Sequence, residues 1–229
     1  MTIEDLWRYA RWLAGAMVAC ALAALAGWLG AIRWAPDAKA YPVQGVDVAE
    51  TSGAIDWFAL KGAGAQFAYV RASTGGQRDP SFEANWSGVK AAGLGRGALH
   101  RWSLCVPPGD QARAFVTTVP READMLPAAV ELGFDESCSA RPDRDRLLDQ
   151  LRRFLTAVET HTGKPMLLKV TRGFEAKYQV AEALPRNVWV TQFFLAPAYA
   201  PRPWKLWQAN AYRRLDGAEG PVNWDVVAP

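Results

Sequence analysis

Residues 67–102 read FAYVRASTGGQRDPSFEANWSGVKAAGLGRGALHRW. Phe67 to Ala72 is a short apolar run with aromatic and β-branched residues, which predicts a strand. Phe82, Trp86 and Val89 then recur at helical spacing, and Gly93 supplies the stop. The stretch from Gly97 to Trp102 predicts another strand. Strand, helix and strand in this order make a parallel pair, because the helical crossover returns the chain to the end from which it started.

The same alternation runs outward from this unit. Upstream, residues 43–48 read as a strand and residues 55–63 as a helix. Downstream, a helix begins near Asp110, and residues 128–132 form a strand. Leu147, Leu148, Leu151, Phe154, Leu155 and Val158 then mark one face of a long helix that Gly163-Lys164-Pro165 terminates. Residues 166–170 form a strand and residues around 174–184 a helix; strands at 188–193, 206–209 and 222–226 follow with little room for helices between them. Eight strands and about five helices predict an α/β fold, a TIM-like barrel with a parallel sheet whose final third lacks its helices. In such barrels the chemistry sits at the C-terminal ends of the strands.

The chain has 229 residues, half of them apolar, with 26 basic and 23 acidic side chains. This balance excludes a disordered chain and an electrostatic nucleic-acid binder. Three cysteines are too few for a disulfide scaffold and two histidines too few for a histidine-rich metal site, so no metal or cofactor is expected. Eleven tryptophans suggest interface anchors or platforms for a ligand ring.

Residues 12–32 carry no formal charge over 21 positions, and Trp7, Trp12, Trp28 and Trp34 flank them. About 20 such residues in a helix span the hydrocarbon core. The expectation is one N-terminal transmembrane helix within an anchor and linker at 1–40, followed by a single domain at 41–229. The alternative is a signal peptide cleaved after Ala38-Lys39-Ala40. An anchor with a short leading segment places the domain outside the cytoplasm, on the periplasmic face of a bacterial inner membrane. There Cys105 and Cys138 either pair or remain buried thiols.

Several motifs recur at the strand ends in order. They are Gly45-Val46-Asp47-Val48-Ala49-Glu50; Tyr69-Val70-Arg71-Ala72-Ser73-Thr74-Gly75; Gly97-Ala98-Leu99-His100; Ala128-Ala129-Val130-Glu131; Trp207-Gln208; and Pro221-Val222-Asn223. Together they resemble glycoside hydrolase family 25, lysozymes that cleave the N-acetylmuramic acid to N-acetylglucosamine β-1,4 linkage of peptidoglycan. The resemblance covers nearly all of residues 43–227 and implies a barrel of eight strands and five helices.

It also implies site residues. The family places an Asp at the end of its first strand, an Asp-x-Glu pair at the end of its fourth and an Asp on its last. Asp47 matches the first, and Glu131 matches the Asp of the pair. Gly133 stands where the catalytic Glu belongs, and Asn223 where the last Asp belongs. Residues 131 and 133 share a strand face about 6.6 Å apart, and one extra methylene at Glu131 does not bridge that gap. Asp135, Glu136 and Asp225 are the candidate substitutes. Tyr69, Arg71, His100, Trp207, Gln208 and Asn223 are the candidate substrate contacts, although His100 also reads as a hydrogen-bonded structural residue and Trp207 as core. Arg71, Arg101 and Lys169 fall on strands facing or flanking the mouth, where pairing would depress the pKa of Glu131.

Two functions are therefore expected from the sequence. One is a membrane-anchored muramidase using Asp47 and Glu131. The other is a degenerate relative that binds cell-wall glycan or scaffolds a partner without turnover.

Overall fold

The computed structural model describes residues 3–229, in two compact units, one ending at Trp34 and one spanning Ala35–Pro229. The first unit is built on helix α1 (Ile3–Ala31), of which Trp7–Ala31 is long and apolar enough to cross a membrane, with mean hydropathy 1.9.

The second unit is a closed barrel. Its strands are β1 (Gln44–Val48), β2 (Phe67–Thr74), β3 (Gln77–Arg78), β4 (Gly95–Arg101), β5 (Ala129–Leu132), β6 (Leu167–Thr171), β7 (Val188–Thr191), β8 (Leu206–Arg213) and β9 (Val222–Val227). The order is β1-β9-β8-β7-β6-β5-β4-β2, and β1 pairs with β2 to close the ring; β3 is an antiparallel addition at the mouth end of β2. All eight strands expected from the sequence are present. The sheet is not wholly parallel, since β9 runs antiparallel to both β8 and β1. Only residues 214–221 separate β8 from β9, too few for the crossover a parallel neighbour requires.

Helices α2 (Trp57–Gly62), α3 (Phe82–Ala91), α4 (Pro108–Thr118), α5 (Arg144–Thr162), α6 (Arg172–Tyr178) and α7 (Val180–Ala183) follow the barrel strands. Local chemistry starts and stops them. The Asp56 carboxylate accepts hydrogen bonds from the backbone N–H groups of Phe58 and Ala59, and that of Asp143 from Arg146. Gly163 ends α5 at φ 72°. All six apolar residues of the α5 stripe are buried against the barrel. The single helix expected over 174–184 is two, broken at Gln179 with φ 48°. The Glu175 carboxylate accepts from the Ala181 N–H and so caps the second piece, a tertiary contact that periodicity does not reveal.

Candidate active site

Alternation along each strand sends every second side chain inward, and these side chains stack in levels. Phe67, Leu167 and Leu206 lie toward the foot, and Tyr69, Leu99, Ala129 and Trp189 continue the same apolar cluster upward. Gly97 makes room for the ring of Tyr69, because a Cβ there would stand 2.3 Å from its Cε1. One level higher, at the C-terminal ends of the parallel strands, the interior becomes ionic.

Asp47, 1% exposed, accepts from Lys169 Nζ at 2.7 Å and from Asn223 Nδ2 at 2.8 Å. Lys169 is itself 1% exposed and lies 4.5 Å from the centre of the Trp189 ring. Asp225, fully buried two residues further along β9 from Asn223, accepts from Trp189 Nε1 at 3.2 Å. Among the described residues its Oδ2 meets no donor. Burial, then the charge of Asp47, push the pKa of the Asp225 carboxyl well above the usual carboxylate range, which favours its protonated form.

Glu131 accepts from Arg71 Nη2 at 2.6 Å. Burial alone would raise its pKa, but Arg71, Lys169 and Arg101 overcome that and hold it at about 2. Asp135, in the loop after β5, is kept below its ordinary value by hydrogen bonds from the Ser137 hydroxyl and N–H, and lies 3.5 Å from Arg101. A disulfide joins Cys105 to Cys138 and so ties the loop after β4 to the loop carrying Asp135.

These groups open into a cleft of about 600 Å³ whose lining includes Asp47, Arg71, Glu131, Asp135, Gln208 and Asn223. The other five expected site residues lie elsewhere. Tyr69 sits a level below, its hydroxyl donating to the Pro127 carbonyl. Asp225 is sealed beneath Asp47, and Glu136 is exposed outside the cleft. Trp207 points out of the barrel, where Nε1 donates to the Gln192 carbonyl and the ring packs on Tyr41 and Trp204.

His100 likewise points outward, into the layer between barrel and helices. Gln111 Oε1 also accepts the Ser103 N–H, so His100 Nε2 donates to it, and the Ser73 hydroxyl donates to Nδ1. Burial lowers the pKa of His100 to about 4, so it is a neutral structural residue. A bulge between Arg71 and Ser73 lets Arg71 face the cleft while Ser73 meets His100 behind it. Phe193, at the edge of the cleft and packed edge-on against Tyr212, was not anticipated; its one signal is an aromatic residue just past the end of a strand.

A family model described as glycosyl hydrolases family 25 matches residues 46–218. The chain belongs to glycoside hydrolase family 25. Lysozyme M1 of Streptomyces globisporus is 44% identical over 195 residues, covering 79% of this chain and 66% of that protein. The uncharacterised protein YegX of Escherichia coli K12 is 30% identical over 193 residues, covering 81% of this chain and 70% of YegX. Among solved structures, a family 25 glycosyl hydrolase from Bacillus anthracis superposes with a TM-score of 0.75 at 26% identity, over 82% of this chain and 90% of that one. A bacterial lysozyme from Streptomyces coelicolor gives 0.73 at 24% identity, over 82% and 92%. Three of the positions singled out by the resemblance carry Asp47, Glu131 and Gly133.

Proposed function

We propose that the protein is held at a membrane by α1, with the barrel outside the cytoplasm, and that its mouth binds peptidoglycan glycan without ordinary two-carboxylate hydrolysis. The observation that carries this reading is the Arg71–Glu131 pair. Glycoside cleavage needs a carboxylic acid that still holds its proton near neutrality. Glu131 is held at about 2 and Asp135 is also pushed down, while Asp225, whose pKa is pushed up, is sealed below the cleft. Gly133 leaves the position of the family's proton donor empty of any side chain.

A hydrolytic reading has one feature in its favour, the raised pKa of Asp225 next to Asp47. The purified chain incubated with peptidoglycan separates the two. Binding without turnover predicts that the protein pellets with the polymer and releases no muropeptide reducing ends. Release by the unmodified chain that disappears in Asp47→Asn and in Asp225→Asn would establish hydrolysis and overturn the binding reading. Gly133→Glu supplies the missing acid with its Cβ 3.3 Å from the Thr171 methyl, a contact a small shift relieves. It should raise reducing-end release about a hundredfold above background, the lower end of what a positioned acid contributes.

A further inference from the structure

The end of the barrel opposite the mouth carries a second cavity of about 370 Å³, floored by Phe67, Leu126, Leu167, Leu206 and Val227. Tyr69 and the start of β4 at Gly95 complete its walls. Its rim is formed by Val43, Gln66, Asn187 and Lys205, all exposed, and Lys205 is the one ionic residue in the lining. A cavity lined almost wholly by carbon, open to solvent at one end of a barrel, takes an aliphatic chain more readily than a sugar.

Two further observations point to the source of that chain. Beside the rim, the rings of Tyr41 and Trp204 lie 6.2 Å apart and tilted by 30°, both partly exposed, so aromatic rings, a lysine and an apolar opening lie together as in residues that seat at a membrane interface. The polypeptide also enters the barrel here. The Gln44 side chain donates to the Pro36 and Tyr41 carbonyls and fixes this approach on the foot of β1. Helix α1 ends at Ala31, and only four residues separate it from Pro36 in the sequence.

We propose that the foot of the barrel is a lipid-binding site, whose cavity takes an acyl chain of a membrane phospholipid while Lys205 pairs with the anionic headgroup. This rests on the membrane-anchor reading of α1. It gives the fold two separate ligand faces, with glycan at the C-terminal ends of the strands and lipid at the N-terminal ends.

The test uses the full chain in nanodiscs containing a phospholipid with a photoactivatable acyl chain, mapped by peptide mass spectrometry after illumination. Labelling of residues 12–32 reports the anchor, and labelling around Val43, Leu126 and Leu206 reports the foot. The expected result is labelling at both, with the foot signal about fivefold stronger in anionic phosphatidylglycerol than in phosphatidylcholine, the factor one surface lysine contributes. Lys205→Gln should remove that preference. Gly95→Leu, whose Cβ meets its nearest neighbour at an ordinary 3.5 Å, should fill the cavity and abolish foot labelling without touching the anchor signal. Anchor labelling without foot labelling overturns the lipid site and leaves the anchor standing; absence of both overturns the anchor reading itself. Foot labelling that survives Gly95→Leu, or its replacement by cross-links between two copies of the chain, also overturns the site.

Discussion

The mouth and the foot of the barrel are made by the same eight strands and bury opposite chemistry. At the foot, Phe67, Leu167 and Leu206 pack by shape and their contribution scales with apolar area. At the mouth, Asp47, Lys169, Glu131 and Arg71 are withdrawn from water in pairs, and each charge is tolerable only because its partner is present. Along β6, Leu167 and Lys169 differ by two positions and face the same interior, yet one belongs to an oil-like floor and the other to an ionic ring. Depth along the barrel axis, not strand or face, divides the two environments.

The largest effect should come from breaking the ionic end. Asp47→Ala strands Lys169 in the interior and should cost about 3–5 kcal/mol in urea unfolding, the range for an orphaned buried charge. Leu167→Ala at the foot should cost about 2–5 kcal/mol through lost packing. The contrast lies in conservative replacement, since Leu167→Met should recover most of the second loss, whereas Asp47→Asn leaves Lys169 without a counter-charge and should recover little of the first. Equal recovery at both positions would erase the distinction between the two ends.

Next comes the disulfide, which ties two loops at the mouth. Replacing Cys105 and Cys138 together by serine should lower stability by about 3–4 kcal/mol for a closed loop of 33 residues. Reductant should destabilise the unmodified protein similarly and leave the double variant unmoved.

The titrating groups sharpen the contrast further. The folded-state pKa of His100 is depressed to about 4 from an unfolded 6.5, so the unfolded chain takes up the proton first. Its contribution is complete above 6.5, shrinks as pH falls, and levels off below about 4, a change on the order of 3 kcal/mol. Glu131, depressed from 4.5 to about 2, adds a second loss in that lower window. His100→Gln should flatten the first window and Glu131→Gln the second, as read by thermal melts across pH. The smallest effect belongs to the partly exposed Leu126 at the foot, where Leu126→Ala should cost about 1 kcal/mol with no pH dependence.

Much of this was legible in the chain. Eight strands could be placed from apolar runs and stop signals, and of the residues singled out from the sequence Asp47, Arg71, Glu131, Asp135, Gln208 and Asn223 line the cleft. The residues that lie elsewhere differ from their neighbours by one or two positions. Trp207 cannot face the interior if Gln208 does, and His100 cannot if Leu99 does, because adjacent strand residues point to opposite faces. Tyr69 does face inward with Arg71, but two positions earlier it is a level deeper. The split at Gln179 depends on Glu175 turning to cap the next helix, and the bulge after Arg71 on register against β4; neither has a local pattern.

By itself the sequence determined the strand-helix order, the long apolar N-terminal segment and the absence of any side chain at position 133, since these depend on residue type and spacing along the chain. The tertiary structure decided the protonation and reach of the carboxylates. The pKa of Glu131 is held low because Arg71, sixty residues away, meets it at 2.6 Å, and the pKa of Asp225 is pushed up because closure of the barrel buries it beneath Asp47. Charge state follows from solvent exclusion and from which groups approach in space, and both are set only when the first and last strands meet.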